Sequence, residues 1–198
     1  MTEIELPKMD ELEKIKTRSF ERRVALTTSI FAVTLAIASL GGNNSTKEML
    51  LAQQQSSDQW AFYQAKSIKE HQARTQWQEL ELELAERGAK MPAEARNKTE
   101  ALLKQSSEEE KRYQFEKQEI EKEAKALEQE RDSYRTRNPY FEFAEVLLQI
   151  SIVMASISIL ADTPVIFHFS LVLASLGGFL TINGYLFLVR IPFLHVGP

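Results

Sequence analysis

The residues best equipped for chemistry lie in apolar surroundings. Glu142, Glu145 and Gln149 follow one another at intervals of three and four, which places their side chains on one face of a helix. The stretch that holds them, 141–161, is otherwise uncharged. A carboxylate in such a setting needs a partner, water or a moving ion, so the stripe suits an ion or proton pathway. Asn183 lies in a second apolar stretch. Glu145 falls about six residues, or roughly 9 Å, beyond Pro139, and Asn183 a similar distance before Arg190, so antiparallel segments would set the two at one depth. Facing each other, they would hydrogen-bond. The plainer reading of Glu142, Glu145, Gln149 and Asn183 is interfacial glutamates touching headgroup water, with polar bonds between helices.

Little else in the chain offers catalysis. His71, His168 and His195 stand in three separate regions, without metal-ligand spacing and with no nucleophile motif beside them. Gly41-Gly42 and Gly177-Gly178 lack the flanking pattern of a phosphate-binding loop. There is no cysteine, which removes disulfides, thiolate nucleophiles and cysteine metal sites. The expectation is therefore no enzyme, no cofactor and no metal. Formal net charge is -4 with the signs interspersed, so no basic face exists to neutralise nucleic-acid phosphates.

The elements that must position these residues follow from how hydropathy is distributed. Over all 198 residues, 26% are charged and mean hydropathy is -0.29, but the average conceals segregation. Three windows, 24–42, 141–161 and 165–189, are nearly free of charge, and each approaches or exceeds the roughly 20 residues that cross a bilayer core. The region 45–138 carries 17 Lys or Arg and 19 Asp or Glu, and has too few large apolar residues for a compact core. The pattern predicts an all-α membrane protein, with three transmembrane helices and a long antiparallel helical hairpin, a coiled coil, inserted between the first and second.

The first window also has features of a secretory signal, since Arg22-Arg23 precede it and Ala36-Ile37-Ala38 has a small-x-small form. The leader argues otherwise. Lys8, Lys14, Lys16, Arg18, Arg22 and Arg23 are balanced by Glu3, Glu5, Asp10, Glu11, Glu13 and Glu21, whereas signal n-regions are short and basic. The segment is expected to remain as a helix anchor.

Local punctuation suggests the joints. Gly41-Gly42-Asn43-Asn44 is expected to interrupt the first helix, and Ser45-Thr46-Lys47-Glu48 to cap a new one as a capping box. No glycine or proline follows until Gly88 and Pro92, which predicts the hairpin turn near 87–92. Asn138-Pro139 reads as cap and first residue of the second span, and Asp162-Thr163-Pro164 as a tight turn into the third. Arg190 and Pro192 should end the third span. The expected parts are a charged segment 1–23, a first span 24–42, a hairpin 45–138, spans at 139–161 and 164–190, and a tail 191–198. Each hairpin arm would run roughly 40 to 45 residues, or 60 to 68 Å.

On the returning arm Tyr113, Ile120, Leu127 and Tyr134 recur at intervals of seven, with Ala124 on the same side; this is the stripe expected to pack the hairpin. Trp77, Leu80 and Leu84 form a short counterpart on the outgoing arm. Nearer the first span, Gln53, Ser57, Trp60, Gln64, Ser67 and His71 form a polar seam. Glutamine amides can bond across helices, so the seam reads as a contact surface; the bland alternative is that glutamine is simply a good helix former on a wet face. Small residues at packing intervals, Ala32 with Ala36, Ser151 with Ala155, Ala174 with Gly178 and Gly177 with Thr181, suit a helical bundle and a homo-oligomer.

Ser45-Thr46, Leu51-Ala52-Gln53 and the run Ser57-Asp58-Gln59-Trp60-Ala61-Phe62-Tyr63-Gln64-Ala65-Lys66-Ser67-Ile68-Lys69 resemble the signature of a bacterial family of inner-membrane proteins, catalogued as a domain of unknown function. Leu147-Leu148-Gln149-Ile150 and Asn183-Gly184 fit the same order of parts. The resemblance implies location and architecture and supplies no catalytic residue. Members of that family carry basic residues between the last two spans, where this chain has Asp162-Thr163-Pro164. Basic residues near the membrane ends are almost balanced, but Arg22-Arg23 abut the first span, which orients the N-terminus to the cytoplasm and the hairpin to the periplasm. The function that follows is a non-enzymatic homo-oligomeric scaffold in membrane lipid, offering its arms to a protein partner or to envelope organisation. The competing class is a channel or transporter subunit with a pathway lined by the intramembrane polar residues.

Overall fold

A computed structural model describes the backbone of residues 9–191 and the side chains of 17–191. The elements in order are α1 (Met9–Arg87), a 3-10 turn (Gly88–Lys90), α2 (Ala93–Leu160) and α3 (Pro164–Leu186), with no strand among the described residues. The three helices are long and apolar enough to cross a membrane. Two compact units emerge: unit 1 joins the residues up to Glu48 with those from Ser133 onward, and unit 2 is Met49–Asp132.

Unit 1 buries mainly small residues around a few large ones and exposes many large apolar side chains. On α1 the buried line is Val24, Phe31, Ala38 and Ser45, spaced by sevens; on α2 it is Phe141, Leu148 and Ala155, joined by Ala144, Ser151 and Ser158. On α3, Ser170, Ala174, Gly177, Thr181 and Gly184 face inward. Leu26, Ile30, Val33, Val153, Val172 and Ile182 point outward, each more than half exposed. Small inward residues let helix backbones approach closely, so packing contact can hold the bundle where apolar burial from water does not. A Cβ on Gly177 would stand 2.8 Å from Leu148 and 3.2 Å from the Ala144 carbonyl. Gly178, expected to pair with Ala174, has open space beside it.

Four of the buried hydroxyls are satisfied within their own helices. Ser151 donates to the Leu147 carbonyl, Ser158 to Ala155, Ser170 to Phe167 and Thr181 to Gly177, at 2.7 to 2.9 Å. Buried polar groups without partners are expensive, and these have them.

The expected break at Gly41-Gly42-Asn43-Asn44 is absent: α1 continues straight through it. Close packing explains the two glycines. Both are buried, and the Phe141 ring lies where a Cβ on Gly41 would sit, 2.5 Å from Cε1. The same ring faces Gly184, whose Cβ would be 2.8 Å away, so Phe141 is held between two helix backbones. Ser45, expected as a cap, instead donates its hydroxyl to the Tyr134 carbonyl at 3.1 Å.

Asn138-Pro139 likewise does not start a helix, because Pro139 lies inside α2. An interior proline costs about 3 kcal/mol through its missing N–H and its clash with the preceding turn. The neighbouring residues supply offsetting contacts: Tyr140 and Phe141 are both buried, and Asn138 accepts from Thr46 at 3.1 Å while donating to Glu142 at 2.6 Å.

The turn between α2 and α3 is tight, as its residues predict. Asp162 takes a left-handed φ of 48°, which Asp tolerates better than most residues, and Pro164 opens α3. Thr163 occupies the N-cap position without a capping side-chain bond, its hydroxyl donating to the Ala161 carbonyl at 2.8 Å. α3 stops at Leu186, short of the expected Arg190, because the chain turns left-handed at Phe187, φ 51°. There the Phe187 N–H donates to the Asn183 carbonyl at 2.7 Å. Pro192, the other expected stop, lies outside the described residues.

Unit 2 is a pair of antiparallel arms. Cross-arm bonds link Gln53 to Arg131, Trp60 to Glu128, Lys66 to Glu116 and Arg74 to Glu110, so residue numbers fall on one arm as they rise on the other. The turn between them falls at 88–92, as glycine and proline there predict.

Candidate functional site

The arms meet along a line of small and charged residues. Ala52, Ser56, Glu70 and Ala73 are buried on α1, and Ser106, Ile120 and Ala124 on α2. Tyr113 and Leu127, from the expected packing stripe, are half-buried on the same face as Ile120; Tyr134, its last member, belongs to unit 1.

Glu70 is the centre of the charged part, its side chain only 7% exposed. It accepts from Arg74 Nη2 at 2.8 Å and from Lys117 Nζ at 2.5 Å. Arg74 also donates to Glu110 at 2.7 Å, which raises the guanidinium pKa, chiefly through that hydrogen bond. One turn nearer unit 1's sequence, Lys66 donates to Glu116 at 2.5 Å. That bond holds the Glu116 carboxyl below the usual glutamate range. Both lysines also stand over rings: Lys66 lies 5.2 Å from the Phe62 centroid and 5.5 Å from that of Tyr113, and Lys117 5.6 Å from that of Tyr63. Each cation thus has a carboxylate and an aromatic ring across the arms, Glu116 and Tyr113 for Lys66 and Glu70 and Tyr63 for Lys117. A shift of one arm along the other would strip each cation of both, leaving Lys66 only Phe62 of its own arm. Such charges select register as well as contributing stability.

Sequence reasoning missed Glu70, Lys66 and Lys117 because it looked for an apolar stripe. Their signal was present in the spacing: Glu70 lies two heptads beyond Ser56, and Ala73 three beyond Ala52. The polar seam lies beside this line. Gln53 accepts from Arg131 at 2.9 Å and Trp60 donates to Glu128 at 2.9 Å. Ser67 is half-buried, and Ser57, Gln64 and His71 are exposed.

In unit 1 the four intramembrane candidates do not converge. Glu142 is exposed and accepts from Asn138; Gln149 is exposed on the outer surface. Glu145 is half-buried with Oε1 3.4 Å from where a Gly42 Cβ would be. Asn183 is 1% exposed, and its amide serves its own helix end, accepting from the Val189 N–H at 2.9 Å and donating to the Val189 carbonyl at 2.8 Å. The expected bond between Glu145 and Asn183 is therefore replaced by this cap. Tyr140 reinforces it, donating to the Val189 carbonyl at 3.2 Å and accepting from the Ile191 N–H at 2.9 Å.

Of the histidines, His71 is exposed and His168 has Nδ1 2.7 Å from the Pro164 carbonyl; His195 lies outside the described residues. Among the described residues no three His, Asp or Glu are grouped to hold a metal ion.

Paired charged arms and a bundle with an apolar exterior define an all-helical protein of unknown function whose three helices could each cross a membrane. Residues 20–187 match the family described as "Domain of unknown function (DUF4337)", and the chain belongs to that family. No curated protein and no solved structure matches it.

Proposed function

We propose that the chain is a non-enzymatic membrane scaffold: a homo-oligomer embedded through unit 1, with the arms of unit 2 in water as a surface for a protein partner or for envelope organisation. One observation carries this reading. Large apolar side chains cover the exterior of unit 1 on all three helices while its interior sets small and hydroxyl-bearing residues around a few large ones, unlike a water-soluble bundle and a fit to lipid. The arms, whose outer faces carry many exposed Lys and Glu, suit water.

Self-association has its own support. Gln149 is exposed among apolar side chains, and an amide facing hydrocarbon lacks hydrogen-bond partners that a second copy would supply. The chain contains no cysteine, so Gln149→Cys introduces a single thiol. Oxidation in native membranes should give a disulfide-linked dimer at that position and not at Val172→Cys. Equal crosslinking at both positions, or none, would sink the self-association reading.

Outward-facing Glu142 and Gln149 also favour a second reading, in which several copies surround a pathway lined by these two residues, Asn183 being turned inward to its own helix end. Proton or cation flux into vesicles, lost in Gln149→Leu, would support conduction; tight vesicles would support the scaffold. For location, the family resemblance and Arg22-Arg23 support a bacterial inner membrane with the N-terminus in the cytoplasm and the hairpin in the periplasm. A membrane-impermeant thiol reagent should then label Ala89→Cys in intact spheroplasts; labelling only in inverted vesicles would reverse the orientation.

A further inference from the structure

A cavity of ≈ 140 Å³ lies in unit 1 between residues of apolar and of charged sequence. It is roughly ten times the 10–15 Å³ that admits one water, so it has room for a multi-atom group. Its lining is chiefly apolar and includes Gly41, Phe141, Gly184 and Tyr185, with Glu48, Arg137 and Tyr134 also on its wall. Glu48 and Arg137 are both half-buried. Among the described residues neither has an opposite charge within 4.0 Å, each other included. Partial burial of a charge without a counter-charge is unfavourable, and here one cavity holds both signs.

A second cation packs on the same ring as the first. The Arg137 guanidinium lies 5.7 Å from the Phe187 ring centroid, and that of Arg190 lies 5.5 Å from the same centroid. The backbone carrying Arg190 is fixed on both sides, since Tyr140 bonds to Val189 and Ile191.

We propose that this cavity binds the headgroup of a phospholipid bearing a primary ammonium, its phosphate held by Arg137 at the cavity and met from outside the lining by Arg190, and its ammonium held by Glu48. Guanidinium forks match phosphate oxygens, and a carboxylate accepts from an ammonium N–H. A choline headgroup has no N–H to donate, and a glycerol headgroup carries no cation for Glu48. The inference rests on the membrane reading, under which the change from apolar to charged sequence falls at the headgroup level.

The test uses the full chain reconstituted in vesicles of phosphatidylethanolamine, phosphatidylglycerol and phosphatidylcholine in equal parts. After mild detergent extraction, retained lipid is quantified by mass spectrometry. The ethanolamine lipid should be enriched about ten-fold over each of the others, the effect of one well-made polar contact. Glu48→Gln should bring that ratio close to unity, and Arg137→Gln should lower retention of all three lipids. Arg190→Gln, at an exposed position, should lower retention without loss of helicity, which covers the case where the half-buried variants fail to fold. Equal retention of the three lipids, an unchanged preference in a folded Glu48→Gln, or unchanged retention in Arg190→Gln overturns the proposal. Displacement by soluble phosphoethanolamine at matched concentration overturns the lipid assignment. Flotation separates the two levels: a chain that does not float with vesicles sinks the membrane reading, whereas one that floats without lipid preference sinks only the headgroup site.

Discussion

Gly41→Ala and Gly178→Ala make the same chemical change in two helices and should act in opposite directions. In a helix interior alanine is better than glycine by about 0.8–1.0 kcal/mol. At Gly178 a Cβ meets nothing within 4 Å, so the gain should be realised in full. At Gly41 the added carbon falls 2.5 Å from Phe141 Cε1 and 2.9 Å from two further ring atoms. The ring has little freedom to retreat, because Gly184 backs it closely and Tyr185 meets it edge-on at 5.0 Å between centroids. Overpacking of this kind costs about 1–3 kcal/mol, which equals or exceeds the propensity gain. Both variants share the propensity gain, so they should differ by the overpacking cost alone, roughly 1–3 kcal/mol, or on the order of 2–12 °C in melting temperature for a chain of this size. Thermal melts of the purified full chain by far-ultraviolet circular dichroism measure the difference. Adding Phe141→Leu should recover part of the loss in Gly41→Ala, with a coupling of about 0.5–3 kcal/mol between the sites. If Gly41→Ala melts at or above Gly178→Ala, the ring is not clamped and the account of why α1 retains a glycine at 41 fails.

Glu70→Gln should destabilise by about 1–3 kcal/mol, between exposed and fully buried ion pairs, since Lys117 and Arg74 lose their shared carboxylate but keep some water; a melt matching the unaltered chain would refute this. Asn183→Leu removes both bonds to Val189, for an expected loss of about 1–3 kcal/mol, and faster amide exchange at Val189 is the signature to seek. Stability should also fall on acidification. Because Lys66 lowers the Glu116 pKa on folding, this contribution is complete above the ordinary glutamate value of about 4.3 and is lost as pH drops through the lowered folded value. Glu116→Gln should flatten that part of the stability profile, and a slope identical to the parent's would count against the pairing.

What could be read from residues alone was whatever depended on long averages or on the strongest breakers. The apolar windows lie in the three helices, and Gly88 with Pro92 bracketed the turn. Short punctuation was less informative. Gly41-Gly42 reads as a break in isolation, yet a ring from residue 141 needs that space, and no local pattern reports a contact a hundred residues away. Pro139 reads as a start, but burial of Tyr140 and Phe141 outweighs its local penalty. The arm contact was legible on one side only, for a related reason. Apolar periodicity found Tyr113, Ile120 and Leu127, while the opposing face is made by Ala52, Ser56, Glu70 and Ala73, residues that hydropathy alone assigns to solvent. Asn183 was recognised as unusual, but its partner lies in a non-helical turn that periodicity cannot anticipate.

The end of α3 has one more consequence. A helix C-terminus leaves its last carbonyls without intrahelical partners; just beyond this one, the Asn183 side chain and the Tyr140 hydroxyl take up the N–H and carbonyl of Val189 and hold the chain that leaves the helix. The stopping point is thereby written into side chains and does not depend on where solvent begins. On the proposed membrane reading, in bilayers of shorter or longer acyl chains the helix should keep its length and answer mismatch by tilting, with its final turn intact.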